Sequence, residues 1–211
     1  MLHVPRGPVE LDSIVQPRGD WLGLLVVDGL LAVTLDAGHA HSSWIFGAQD
    51  LIRPWDLDDF ALTKNRRWQC LMPMQIALLD GDFIRRTQGA PTITRRLVER
   101  AAETARWLLA KSLIAGTPRA EERLLLLFTL LAERWGRVCP DGVRLPVPLT
   151  HVLLAHMCGV RRPTVTIALR SFRIRGLIYP IGRAGWLLSG SPSEWELAPV
   201  GSTYDTCVRR S

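Results

Sequence analysis

The feature that most constrains the fold of this chain is a pair of short helices joined at a glycine within residues 149–178. Thr150 can cap the first helix, and Gly159 permits the positive φ that a tight turn between helices needs. Pro163 fits only the first turn of a helix, so the second helix should begin near Arg162. This arrangement predicts a helix-turn-helix, a motif whose second helix enters the major groove of DNA.

The positive charge of the chain is concentrated in the same segment. Residues 142–193 contain seven arginines and no Asp or Glu, whereas residues 1–141 contain 17 basic and 17 acidic residues. The net charge of +6 therefore originates in this segment. A localised positive field favours a polyanionic partner such as double-stranded DNA. The alternative, a solvated arginine-rich helix face without a partner, does not account for the complete lack of acidic residues.

The second helix of the motif has a buried stripe and an outward face. The stripe should consist of Val165, Ala168, Leu169 and Phe172. On the outward face, arginine can bind guanine O6 and N7, threonine can contact a base or a thymine methyl group, and further arginines can neutralise phosphates. The predicted DNA-binding residues are Thr150, His151, Arg161, Arg162, Thr164, Thr166, Ile167, Arg170, Arg173 and Arg183.

The first 90 residues have the pattern of an all-β domain. Residues 21–90 contain short apolar runs separated by turn residues, which is typical of a small sandwich or barrel. Asp28-Gly29 predicts a hairpin turn, and a second turn is expected around Gly38. Pro73 should separate two short strands, because proline is excluded from central strands.

The pattern becomes helical after Pro91. Residues 92–115 contain no Gly or Pro, and their apolar residues recur at helical spacing. Thr117-Pro118 predicts the start of another helix, with Thr117 as its N-cap. Residues 136–148 are interpreted as a linker, and residues 179–188 as a hairpin that follows the helix-turn-helix as a wing.

This order of elements resembles the Crp/Fnr family of bacterial transcription regulators. Residues 150–178 are similar, without gaps, to the family pattern T-x-x-x-x-A-x-x-x-G-x-x-R-x-T-V-x-x-x-L-x-x-x-x-x-x-G-L-I. The resemblance implies an α+β fold with a β-roll (a jelly-roll of cyclic-nucleotide-binding type) at 1–90, a dimerisation helix at 91–116 and a winged helix at 117–211. It also implies a symmetric homodimer in which Arg162 contacts bases.

The sequence departs from the family pattern at positions that determine specificity. Pro163 stands where the best-known members have Glu, and Ile167 replaces a second base-contacting Arg, so the operator should differ. Arg53-Pro54 replaces the Gly-Glu pair of the phosphate-binding cassette, and residues 65–68 lack an Arg followed by a hydroxyl residue. We therefore expect no dependence on cyclic nucleotides. The cysteine cluster of the iron–sulfur members is absent as well.

Two further groups of residues leave alternatives open. Arg53, Trp55, Arg66 and Arg67 could bind an anionic effector or form a solvated basic loop beside core tryptophans. His39 and His41 could be metal ligands or a solvated turn, and the latter is preferred because no third ligand accompanies them. No catalytic constellation is present, so we expect neither enzymatic activity nor a cofactor. The four cysteines are scattered and are interpreted as reduced core thiols.

The sequence thus predicts a homodimeric, DNA-binding transcription regulator. Further candidate partners are RNA polymerase and an unidentified small-molecule effector. No signal peptide or membrane helix is recognised, which favours the cytoplasm. One alternative is a small-molecule- or metal-binding cupin-like protein with an appended winged helix, and another is a winged helix that binds protein.

Overall fold

A computed structural model describes residues 1–11, 15, 21–57, 65–182 and 185–190, and it confirms the α+β class. The N-terminal strands in this part of the chain are β1 (Leu2–Val4), β2 (Gly7–Val9), β3 (Gly23–Ala37), β4 (Ala40–Gly47), β5 (Leu51–Ile52) and β6 (Asn65–Leu79). A 3₁₀ turn covers Pro54–Leu57. The helices that follow are α1 (Gly81–Thr87), α2 (Pro91–Gly116), α3 (Ala120–Trp135), α4 (His151–Cys158) and α5 (Arg162–Ile174).

The first six strands form one antiparallel sheet around the two 15-residue strands β3 and β6. The strand order is β1-β6-β3-β4, while β2 also pairs with β6 and β5 with β3. The buried side chains of this sheet include Leu24, Val26, Leu31, Ile45 and Ile76. They belong to a core that continues through α2 and α3 into the helix-turn-helix, so the N-terminal sheet and the C-terminal helices are packed together.

Asp28 and Gly29 do not form the predicted hairpin turn. They lie inside β3 at shifts in its register against β6, and the chain reverses only after Ala37, at the predicted turn around Gly38. Pro73 likewise lies inside a continuous β6, at an irregularity where it has no partner residue in the described strands. A Cβ atom at Gly29 would lie 2.4 Å from the carbonyl oxygen of Pro73. The glycine therefore serves a close approach between strands, not a turn.

The prediction that residues 21–90 are all β is wrong at its C-terminal end. Asp80 caps α1, accepting a hydrogen bond from the Phe83 amide at 2.9 Å. The following helix α2 agrees closely with the predicted range 92–115. Two of its side chains, Trp107 and Ile114, are buried against the chain's own core.

The helix α3 begins two residues later than predicted. Thr117 is the C-cap of α2, where its hydroxyl donates to the carbonyl of Leu113, and it is not the N-cap of the next helix. The helix proper starts at Ala120 without a side-chain cap. Its apolar face is buried as expected, with Leu124, Leu125, Leu127, Phe128 and Leu131 in the core.

The predicted linker at 136–148 contains two strands, β7 (Arg137–Cys139) and β8 (Gly142–Leu145). They extend the predicted wing, whose strands are β9 (Ile178–Ile181) and β10 (Gly185–Ser189), into a four-stranded sheet of order β7-β8-β10-β9. Gly142 has a φ of +131° and sits against the backbone of Leu188. Residues 136–148 are therefore not a linker, and that prediction is wrong. Gly142 instead allows β8 and β10 to approach each other.

Candidate nucleic-acid interface

The helix-turn-helix is formed by α4 and α5, as the sequence predicts. The Thr150 hydroxyl caps α4 by accepting a hydrogen bond from the Leu153 amide at 3.1 Å. Gly159 ends this helix in the left-handed region, with φ 63° and ψ 39°. Pro163 occupies the first turn of α5, which begins at Arg162. Each of these residue types is well suited to its position, so the sequence specifies the turn geometry locally.

The predicted buried stripe holds α5 against the core. Val165, Ala168, Leu169 and Phe172 are each no more than 8% exposed. This leaves the opposite side of the helix open to solvent. Of the candidate DNA-binding residues, Thr164 and His151 are half-buried, whereas the exposed ones are Thr150, Arg161, Arg162, Thr166, Ile167, Arg170 and Arg173. Arg183 lies outside the described residues.

His151 connects the two helices of the motif. Its Nδ1 atom lies 3.0 Å from the Thr166 hydroxyl, which also donates to the carbonyl of Arg162 at 3.2 Å. Thr166 is therefore partly engaged within the protein, and His151 orients it from the neighbouring helix. The Thr150 hydroxyl is occupied by its capping role.

The arginines on α5 and at its flanks differ in whether an acid neutralises them. Arg175 pairs with Glu121 of α3 at 2.8 Å, and Ser171 also bonds this carboxylate at 3.0 Å. No ion pair to a described residue engages the other four arginines of this region, Arg161, Arg162, Arg170 and Arg173. Their guanidinium groups are available to phosphates or base edges.

A cluster of histidines joins the β3–β4 hairpin to α4. The rings of His41 and His156 stack with centroids 4.8 Å apart, and the Ser43 hydroxyl lies 3.4 Å from His156 Nδ1. Asp36 lies 2.6 Å from His41 Nδ1 and also pairs with Arg67 at 3.3 Å. Burial, reinforced by the charges of His41 and Arg67, lowers the pKa of His156, so its neutral form is favoured in the folded protein.

Lys111 of α2 lies near this junction. It donates to the Ser42 hydroxyl at 2.6 Å and lies 5.9 Å from the centre of the Trp44 ring. Burial lowers its pKa to about 8. Burial also raises the pKa of the Cys158 thiol to about 12, which makes it an unreactive core thiol.

Two of the three described cysteines lie in the core, as the sequence predicts, and the third does not. Cys70, Cys139 and Cys158 are free, and two of them are buried. Cys139 is half-buried. Cys207 lies outside the described residues.

A buried ion pair forms a second junction between the sheet and the helices. Asp50, in the β4–β5 turn, pairs with Arg134 of α3 and accepts hydrogen bonds from the Gly47 amide at 2.7 Å and from Thr104 at 3.3 Å. The Arg134 guanidinium lies against the rings of Trp107 and Trp135. Sequence analysis missed both junctions, since their members are far apart in the chain and no local pattern connects them.

The candidate effector residues do not all converge. Arg53 bonds Asp56 at 2.7 Å and lies over the Trp55 ring, and Arg66 donates to the carbonyl of Pro54 at 2.7 Å, which places these residues together. Arg67 points elsewhere, towards Asp36. A cleft of about 210 Å³ lies at another place, between the sheet and the wing, where its lining includes Arg6, Gln69 and Trp186.

His39 and His41 do not assemble a metal site with other residues in the described part of the chain, where no group of three or more potential ligands occurs. His39 is exposed, and His41 is engaged by Asp36. In the same residues, no helix combines the length and the apolar character needed to cross a bilayer.

Comparison with known proteins agrees with the interpretation of α4 and α5 as a helix-turn-helix. Residues 122–188 match the model of the Crp-like helix-turn-helix domain. No curated protein matches the chain. Similar solved structures include a CooA variant from Carboxydothermus hydrogenoformans (20% identity, TM-score 0.66), which covers 89% of this chain and 82% of that one.

Two others are described as a CRP-family transcriptional regulator from Thermus thermophilus and FixK2 from Bradyrhizobium japonicum. The first has 16% identity and a TM-score of 0.63, with 90% of this chain and 92% of that chain covered. FixK2 has 14% identity and a TM-score of 0.63, with 89% and 90% covered. The chain therefore carries a Crp-like helix-turn-helix domain, and as a whole it has the fold of Crp/Fnr regulators.

Proposed function

We propose, from the premise that the chain combines a Crp-like helix-turn-helix domain with the Crp/Fnr fold, that it is a homodimeric, sequence-specific DNA-binding transcription regulator. The observation that carries this proposal is the outward face of α5. It presents exposed arginines without acidic partners among the described residues, beside Thr166 and Ile167, on a helix whose opposite side is fully packed. A rigid helix with this face suits the major groove, where arginine and threonine distinguish base pairs.

The proposed division of the chain is a sensor-like sheet domain at 1–90, a dimerisation helix at 91–116 and a winged helix at 117–211. A second copy is expected on α2, because this helix leaves a row of large apolar side chains in solvent. Val98 is 64% exposed, Leu109 72% and Leu113 65%. Alanines at positions 101, 102 and 105 continue this row. Such a stripe is typical of a helix that packs against its symmetry mate.

Cyclic nucleotides are not expected to control this protein. Arg53-Pro54 stands where the family pattern has a Gly-Glu pair. The Arg53 guanidinium already donates hydrogen bonds to Asp56 and to the carbonyls of Trp21 and Leu22. Titration calorimetry with cyclic AMP and cyclic GMP should show no binding. A dissociation constant in the low micromolar range, about −8 kcal/mol, would contradict this.

DNA binding is tested by selecting bound sequences from random duplexes with the full chain. The selected duplex should bind more tightly than a scrambled one, and the affinity should fall with salt at a slope of about −0.9 per neutralised phosphate. Arg175→Ala is a matched control. Because Arg175 is paired with Glu121, its replacement should change the DNA affinity little. Equal affinity for selected and scrambled duplexes would contradict sequence-specific binding.

A further inference from the structure

Ile167 is an exposed apolar residue at the edge of the basic face of α5. Its side chain is 71% exposed, and the polar row of Arg162, Thr166 and Arg170 runs along one side of it. Water is an unfavourable environment for this side chain, and no described residue covers it. A partner that presents an apolar group among polar groups would therefore suit this position.

The position of Ile167 on the helix directs it towards such a partner. At 3.6 residues per turn it lies about opposite the buried stripe of Val165, Leu169 and Phe172, in the row of Pro163 and Arg170. Isoleucine is branched at Cβ and keeps mainly one χ1 rotamer in a helix. The side chain is consequently held in place before binding, with little conformational freedom left to lose.

We propose that Ile167 contacts the C5-methyl group of a thymine in each half-site, so that the protein selects an A·T pair at that position. The proposal rests on the DNA-binding function proposed above. Among the groups that base pairs present in the major groove, the thymine methyl is the apolar one. The neighbouring arginines would bind guanines or phosphates, and Ile167 would disfavour a G·C pair because it cannot form hydrogen bonds with the polar groups of that pair.

A protein partner is the competing occupant, because Ile174 is 77% exposed on the same row. Ile174 lies seven residues further along α5, about 10.5 Å along the helix axis at 1.5 Å per residue. It is therefore a matched control: the same residue type with similar exposure, but outside the N-terminal half of the helix that faces base edges.

The experiment replaces each thymine of the selected duplex in turn with deoxyuridine, which removes the methyl group and keeps every hydrogen-bonding group. For the full-length wild type, one thymine per half-site should weaken binding about fourfold when replaced, the equivalent of ~0.8 kcal/mol for one buried methyl-sized group. The Ile167→Ala variant should lose this sensitivity to uracil. The Ile174→Ala variant should retain it.

The outcomes separate this inference from the proposed function. Specific DNA binding with no uracil-sensitive position overturns the thymine contact and leaves the function standing. The thymine contact is also overturned if Ile167→Ala keeps the wild-type sensitivity to uracil. It is overturned as well if Ile167→Ala leaves the DNA affinity unchanged, which is the result expected if Ile167 binds a protein. If the wild type does not distinguish selected from scrambled DNA, both proposals fail.

Discussion

At the scale of single residues, Arg162 and Arg170 are both exposed arginines of α5 but should act differently. Arg162 is the first residue of the helix, where side chains reach base edges, whereas Arg170 lies about two turns further along. Arg162→Ala should cost ~1–3 kcal/mol on the selected site and relax the preference at one base pair per half-site. Arg170→Ala should weaken binding to all sequences similarly and reduce the salt slope by about one per contact.

The measurement is the affinity of both variants for selected and scrambled duplexes at several salt concentrations. Equal loss on both duplexes for Arg162→Ala would assign that residue an electrostatic role. If neither variant alters the affinity, the outward face of α5 does not meet DNA.

The sequence predicted which residues lie on the outward face of α5. The first residue of a helix and its period of 3.6 residues together fix the side on which each later residue lies. Pro163 set the start, and the apolar residues at 165, 168, 169 and 172 set the buried side. The partnerships of the side chains could not be predicted. That Glu121 neutralises Arg175, and that His151 orients Thr166, depends on how separate helices pack.

At the scale of elements, the buried Asp50–Arg134 pair connects the β4–β5 turn to α3. Asp50→Asn would leave the Arg134 charge buried and unpaired between two tryptophans, so the free energy of unfolding should fall by about 3–5 kcal/mol. Asp56→Asn is the matched control, because its partner Arg53 forms an exposed pair at 2.7 Å that should contribute less than about 1 kcal/mol. Urea denaturation measures both, and equal effects would show that the buried pair is not a structural link.

The histidine junction should make the packing of the β3–β4 hairpin on α4 sensitive to pH. The pKa of His156 is lowered from 6.5 in the folded protein, mainly by burial, so the unfolded chain binds the proton more readily. The stability from this residue is therefore complete above pH 6.5 and is lost as the pH falls below it. Asp36 opposes the shift, and His41 and Arg67 favour it.

Between about pH 7.5 and 5.5, a range that spans the ordinary histidine pKa, the free energy of unfolding should decrease more for the wild type than for His156→Gln. Denaturation at both pH values tests this. A variant with the same pH dependence as the wild type would show that other groups are responsible.

The elements were predictable where local rules act alone. Helix α2, the caps of α4 and the wing hairpin follow from periodicity, capping and glycine placement. The predictions failed where tertiary contacts give a residue a different role. Gly29 packs against Pro73 within a sheet, and Gly142 lets β8 approach β10, so neither marks the turn or linker that its sequence context suggests.

At the scale of the whole molecule, the two faces of α2 have different roles. Trp107 and Ile114 are buried in the chain's own core, and Leu97, nearer the start of the helix, is half-buried. The helical spacing of the apolar residues predicts one stripe that includes Leu97, Leu108 and Ile114, but the structure buries Ile114 and leaves Leu108 43% exposed. A variant that tests dimerisation must therefore change the outward residues alone, so that the fold of each chain is preserved.

Val98→Glu combined with Leu109→Glu should produce a folded monomer. The two positions are 64% and 72% exposed, so glutamates there are compatible with the single chain, while a two-fold axis along α2 would bring like charges together. Arg96→Glu is the control, because this exposed residue lies on a different side of the helix. Light scattering should show a dimer for the wild type and the control and a monomer for the double variant. Because a dimer binds two half-sites about 34–36 Å apart, the monomer should also lose its preference for the symmetric site over a single half-site. A monomeric wild type at micromolar concentration, or a double variant that stays dimeric, would show that the outward stripe of α2 is not the interface.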